Sequence, residues 1–209
     1  MPDLTLEQEA LAGGAERVAG IDEAGRGPLA GPVIAAAVVL PPDFLCPRLD
    51  DSKKLSEKVR EALYFELMEA PGVAWGVAST SPEEIDELNI FQATTQAMRR
   101  AVEGLVPAAD FALIDGRALQ GFPLAHRGVV KGDSLSLSIA AASVIAKVSR
   151  DRVMVDADKR FPGYGFAKHK GYGTAEHLEA LRRLGPCPLH RQTFAPVAHA
   201  SRSRRVHPG

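Results

Sequence analysis

The segment VAGIDEAGRGPLAGPVIAAAVVL, residues 18–40, places two adjacent carboxylates between two apolar runs. Runs this rich in Val, Ile and Ala are built for burial on both faces of a sheet. Burying one unpaired charge is costly, and two like charges side by side cost more. A chain carrying Asp22-Glu23 in such a setting must bring cations to them, or set them where a strand ends. Gly25-Arg26-Gly27-Pro28 comes next and reads as a turn. Residues 16–23 and 32–40 are therefore expected as two strands joined as a hairpin.

The rest of the chain alternates between helical and extended patterns. Ser56 caps an expected helix carrying Val59, Leu63, Leu67 and Ala70 at helical spacing. Residues 73–80 alternate like a strand. Ser81, Pro82 and the acids behind them open a short helix. A second helical stretch starts at Phe91 and ends at Gly104. FALID (111–115) is a short apolar strand, and 126–133 holds another. Residues 134–160 read as one long helix and FPGYGFAKHKGYGT (161–174) as a loop. A last amphipathic helix runs from the Thr174 cap to the Gly185 stop. Strand and helix alternation after a hairpin gives an α/β class with a mixed central sheet. What remains, ending in SRSRRVHPG, is expected to be irregular and frayed.

Four acids share a placement. Asp22 and Glu23 close the first strand, Asp115 closes FALID, and Asp133 follows VVKG. In α/β sheets functional groups gather at strand ends. Carboxylates converging there repel unless cations lie between them, and oxygen-only ligands select hard divalent ions, Mg²⁺ or Mn²⁺. Two such ions about 4 Å apart clamp the attacking and leaving oxygens of a phosphodiester. Each acid also has an ordinary reading. Asp115-Gly116 is a common turn pair, Asp133 can cap the following helix, and Asp22-Glu23 can be an exposed strand end. Adjacent strand residues point to opposite faces, so both reach one site only if the strand bends or ends between them. Charge is uneven as well: residues 159–209 hold 10 Lys or Arg against 2 acids, and residues 1–158 hold 15 against 24. A basic segment beside an acidic one fits a phosphate-binding surface next to a metal site, or simply a solvated basic face. A zinc site from Cys187 and His190 with His177 or His199 lacks a second paired ligand. Gly25-Arg26-Gly27 lies between strands and is too short for a dinucleotide loop.

On these segments the chain resembles a family. AGIDEAGRGPLAGPV (19–33), DSKKLSEKVR (51–60), EIDELNIFQATTQAM (84–98), LIDG (113–116), VVKGD (129–133), AAASVIAKVSRD (140–151) and YGFAKHKGYGT (164–174) occur in the order found in bacterial ribonuclease HII, a type 2 ribonuclease H. The resemblance implies a ribonuclease H-like fold with helices flanking the mixed sheet and a small helical C-terminal segment. It implies cleavage of the RNA strand of RNA–DNA hybrids and of single ribonucleotides in duplex DNA, with Mg²⁺ or Mn²⁺, leaving 3′-hydroxyl and 5′-phosphate ends. It places the metal-binding and catalytic acids on Asp22, Glu23, Asp115 and Asp133. It places ribose reading on Gly25, Arg26 and Gly27, packing at the RNA–DNA junction on Tyr172, and further substrate contact on Lys53. Asp151 is given a structural role. Where the family usually has a proline and an Ile-Ser pair after KGD, this chain has SLSLSIAA, so the start of the long helix is expected to differ.

The implied partition is an N-terminal extension (1–16), a catalytic domain (17–197) whose basic helical part begins near 159, and a flexible basic tail (198–209). The expected partners are RNA–DNA hybrid and ribonucleotide-containing duplex, without a membrane, bound by a monomer. The first residues lack a secretory pattern, so a cytoplasmic location is the default. Two other readings are a ribonuclease HIII-like hybrid nuclease and a non-catalytic nucleic-acid-binding module, the second of which leaves four carboxylates unexplained.

Overall fold

Gly20 sets how the two main layers meet. A Cβ there would fall within 2.4 Å of the backbone of Ser138 and Ile139, so only glycine lets the long helix lie directly on the first strand. The computed structural model describes residues 1–206. Five strands form one sheet: β1 (Val18–Ala24), β2 (Val33–Val39), β3 (Ala74–Thr80), β4 (Phe111–Asp115) and β5 (Ala125–Val129). Their order is β3-β2-β1-β4-β5. β1, β2 and β3 run antiparallel, whereas β1, β4 and β5 are parallel. The hairpin expected from the opening segment is therefore present, within a mixed sheet.

Among the described residues the chain also forms eight helices: α1 (Thr5–Ala12), α2 (Glu57–Glu69), α3 (Pro82–Leu88), α4 (Ile90–Glu103), α5 (Leu137–Arg160), α6 (Phe166–His169), α7 (Ala175–Leu184) and α8 (Ala195–Val206). Alternation along the strands feeds two cores. Ile21, Val33, Ala35 and Ala37 pack with Ala97, Met98 and Ala101 of α4 on one face. Ala36 and Val38 pack with α2 and with the alanine-rich start of α5 on the other. α5 is buried without a break from Leu137 to Ala146, in keeping with its alanine-rich first half, and only at Val148, Arg150, Met154 and Ala157 beyond.

Four expectations change. The long helix starts at Leu137 rather than in the serine run, because the Ser136 hydroxyl accepts from Ile139 N–H and caps it. Asp133 is thus not that cap; it lies in a separate 3₁₀ turn, Gly132–Ser134. The glycine-rich loop at 161–174 contains the one-turn α6. The tail expected to be frayed from 198 is helical to Val206, held by fully buried Val197 against Leu29 and Leu181; residues 207–209 lie outside the described residues. The N-terminal extension carries α1, whose buried Glu7 carboxylate accepts from Ser136 Oγ, Ser138 Oγ and Ser138 N–H at 2.6–2.9 Å. An anion at the N-terminus of α5 is favoured by the helix dipole. No helix among the described residues is long and apolar enough to cross a membrane.

Candidate active site

The two carboxyl ends that matter lie side by side because β1 and β4 are parallel. Their register pairs Ile21 with Ile114, so the next step along the ladder sets Asp22 beside Asp115. β4 also pairs with β5 up to Val129, and the chain then turns through left-handed Lys131 into the 3₁₀ turn that carries Asp133. Gly132 N–H donates to Asp115 Oδ1 at 2.7 Å and ties that turn to the β4 end. Asp22 and Glu23 do point to opposite faces. Asp22 borders a cavity of about 210 Å³ on the α5 side with Lys53, Ser143 and Tyr172. Glu23 borders that cavity and a second one on the α4 side with Asp115, Arg117 and Phe91. The site straddles the end of the sheet, so no bend is needed.

The electrostatics are strained. Burial, followed by the charges of Glu23 and Asp115, pushes the Asp22 carboxyl well above its ordinary range. Glu23 is raised by burial too, although Arg26, 3.4 Å away, opposes the rise. Asp133 is raised by burial and then by Asp51, a carboxylate absent from the expected set. Lys53 Nζ stands 3.8 Å from Asp133 Oδ2 but is mostly exposed. Acids thus outnumber the cations facing them. Among the described residues no three His, Cys, Asp or Glu side chains stand as a group that could hold a metal ion. The donor set still suits a hard divalent ion: carboxylate oxygens only, in excess charge, one of them buried and destabilised as an anion.

The residues expected to face a substrate form a second group. Gly25 has φ +101°, and a Cβ there would fall 2.0 Å from Arg150 Nε, so glycine is required. Gly27 faces the Tyr172 ring, the nearest group to its hypothetical Cβ at 3.7 Å, and Tyr172 is 46% exposed. Lys147 and Asp151 pair at 2.7 Å one turn apart on α5, in keeping with the structural role expected for Asp151.

Beneath Tyr172, three of the residues considered for zinc, Cys187, His190 and His177, meet as a hydrogen-bonded chain. Cys187 N–H donates to His190 Nδ1 at 3.0 Å, which leaves the His190 proton on Nε2. That nitrogen lies 3.1 Å from His177 Nε2, and His177 Nδ1 lies 2.9 Å from the Tyr172 carbonyl oxygen. One proton order satisfies all three links only if both rings are neutral. Burial, then the nearby His177, holds His190 down to about 4, and burial lowers His177. In the unfolded chain both titrate near about 6.5. Between those limits the unfolded state binds more protons, so this contribution to stability is lost as pH falls from about 6.5 to about 4. The loss for His190 is at most about 3 kcal/mol. The raised acids pull the other way, so we expect the difference in urea midpoint between wild type and His190→Gln to shrink as pH falls through this window. A difference constant from pH 7.5 to 4.5 would contradict the neutral chain.

The chain matches known proteins over most of its length. Residues 19–197 match the family model for Ribonuclease HII. Ribonuclease HII of Geobacillus kaustophilus is 57% identical over 194 residues, covering 93% of this chain and 74% of that one. That of Syntrophotalea carbinolica is also 57% identical, over 93% and 92% of the two chains. The crystal structure of ribonuclease H2 from Pyrococcus horikoshii OT3 shares the fold, with a TM-score of 0.77 and 24% identity over 91% of this chain and 100% of that one.

Proposed function

The chain belongs to the ribonuclease HII family, and from that premise we propose that Asp22, Glu23, Asp115 and Asp133 are its metal-holding catalytic acids. The protein is a ribonuclease H, an endonuclease acting on RNA-containing nucleic acid, and its family depends on divalent metal ions. We propose Mg²⁺ or Mn²⁺ for this chain, with cleavage of hybrid RNA strands and of single ribonucleotides embedded in duplex DNA, by a monomer whose catalytic unit is residues 17–197. The observation that carries the reading is the shared rim: four acids from β1, β4 and the 3₁₀ turn, beside the Gly27–Tyr172 pair.

When bound, divalent ions supply Lewis-acid stabilisation of the attacking and leaving oxygens of the phosphodiester. The chain's own residues do the rest. Asp22, Glu23, Asp115 and Asp133 would supply the oxygens that hold the ions. Arg26 and Lys53, both exposed, meet phosphates and fix register without reading sequence. The Gly25–Gly27 turn brings bare backbone to the nucleotide, where the 2′-hydroxyl alone separates RNA from DNA. A water oxygen bonds to phosphorus as the bond to the 3′-oxygen breaks and that oxygen takes up a proton, which leaves 3′-hydroxyl and 5′-phosphate ends.

The test is a duplex with one ribonucleotide, its cut position mapped, in Mg²⁺. Tyr172 sharpens it. An aromatic ring packs on a sugar or base for about 1–3 kcal/mol. Against a deoxyribose, the ring would be crowded by an added 2′-hydroxyl. Tyr172→Phe is expected to keep the preference for a ribonucleotide followed by DNA. Tyr172→Ala is expected to lose about tenfold to a hundredfold in kcat/KM on the single-ribonucleotide duplex, the range of one such contact, and less on long hybrids. An equal loss on both substrates would return Tyr172 to ordinary loop packing.

A further inference from the structure

Two arginines, Arg150 and Arg191, are 1% and 0% exposed, and neither forms an ion pair with a carboxylate among the described residues. Buried, unpaired guanidinium groups are costly unless their donors are satisfied. Backbone carbonyls satisfy them. Arg191 donates to the carbonyl oxygens of Gly25, Arg26 and Gly31, the last two at 2.8 Å. Arg150 donates to those of Ala30, Pro32 and Lys170 at 3.0–3.1 Å. Six carbonyls in two segments, the glycine turn and the base of the Tyr172 loop, are therefore drawn towards two cations. Main-chain bonds add to this: Leu29 N–H donates to Gly171 O, Gly31 N–H to Leu189 O, and Arg191 N–H to Leu29 O.

Peptide geometry then sets the direction of the amides. In a planar trans peptide, C=O and N–H point in opposite directions. The Gly25 and Arg26 carbonyls point in to Arg191, so the N–H groups of Arg26 and Gly27 point out. Both residues are exposed, and neither N–H has a hydrogen-bond partner among the described residues. A cation behind the carbonyl also polarises each peptide and strengthens its N–H as a donor. Two adjacent, outward, charge-backed donors beside Asp22 and Tyr172 suit an acceptor such as a ribose hydroxyl.

We propose that Arg191 is a positioning residue that presets the aim of the Arg26 and Gly27 amides. Arg150 carries the same frame across to the Tyr172 loop. This rests on the glycine turn being the ribose reader and adds the device that holds it. Arg191 touches no substrate; it acts through the turn.

The test uses the full-length protein with two variants and one measurement on wild type. Arg191→Lys keeps the charge but cannot serve three carbonyls. We expect kcat on the single-ribonucleotide duplex to fall about a hundredfold, the scale of a misplacement near 1 Å, with affinity for an all-DNA duplex unchanged. A kcat within twofold of wild type, or a loss matched by equal loss of all-DNA affinity, would overturn the proposal. Gly27→Pro deletes one of the amides directly. If it cleaves normally, the turn is not the ribose reader and both readings fall. If Gly27→Pro is impaired and Arg191→Lys is not, the turn reads ribose but the clamp does not set it. Wild-type ¹⁵N relaxation needs no variant: the Arg26 and Gly27 amides of the free protein should show order parameters near about 0.85, and values below about 0.6 would refute a preset aim.

Discussion

Asp22→Asn is expected to lower kcat on a single-ribonucleotide duplex by at least about a thousandfold, or about 4 kcal/mol of transition-state stabilisation. The same change should leave the protein without added metal at least as stable as wild type. Both effects come from one placement. Asp22 is 6% exposed at the end of β1, with Glu23 and Asp115 beside it, and burial with those charges lifts its carboxyl far above the ordinary range. Its folded value lies above its unfolded one. Its contribution to stability is therefore full at low pH and is lost as pH rises through the folded value. Asparagine has the same shape and no charge, so its advantage over wild type in urea with EDTA should grow with pH. Single-turnover cleavage at saturating Mg²⁺ checks the first part. A variant within tenfold of wild type would remove Asp22 from the catalytic set.

EDTA should abolish cleavage, Mg²⁺ or Mn²⁺ should restore it, and Ca²⁺ should not. Calcium takes longer and looser coordination and does not fix reacting oxygens as the smaller ions do. Mn²⁺ should also raise the melting temperature of wild type, because a ligand that binds only the folded state stabilises it. Asp22→Asn should show little of that rise. Efficient cleavage in Ca²⁺ alone would count against a site of this kind.

Features legible in the sequence are local ones. Ser56, Ser81 and Thr174 cap the helices they announce, because a cap is a contact over three residues. Asp22, Glu23 and Asp115 stand out because charged residues at the ends of apolar strands are locally anomalous, and Asp133 because it follows the short apolar run before the long helix. The hidden features are non-local. Arg150 and Arg191 look like surface charges in sequence, since a buried cation is recognised only once its distant carbonyls are known. Glu7 is the same case, a buried carboxylate whose partners lie about 130 residues away. α8 has little local signal because it is a basic, proline-bearing helix anchored by Val197, with Ala200 beside it, against Leu29 and Leu181. Asp51 sits in the DSKKLSEKVR segment, but only the fold brings it beside Asp133.

The arginine clamp also has a bearing on synthesis. Arg191 reaches back 165 residues to Arg26. A ribosome delivers about 5–20 residues per second, N-terminus first. All four acids have been made by residue 133, yet the turn that would tell ribose from deoxyribose lacks its anchor until residue 191 leaves the exit tunnel. For several seconds the nascent chain carries its carboxylates without the side chain that anchors the neighbouring turn. A chain truncated before residue 191 would carry all four acids and lack the side chain that clamps the Gly25–Arg26 carbonyls.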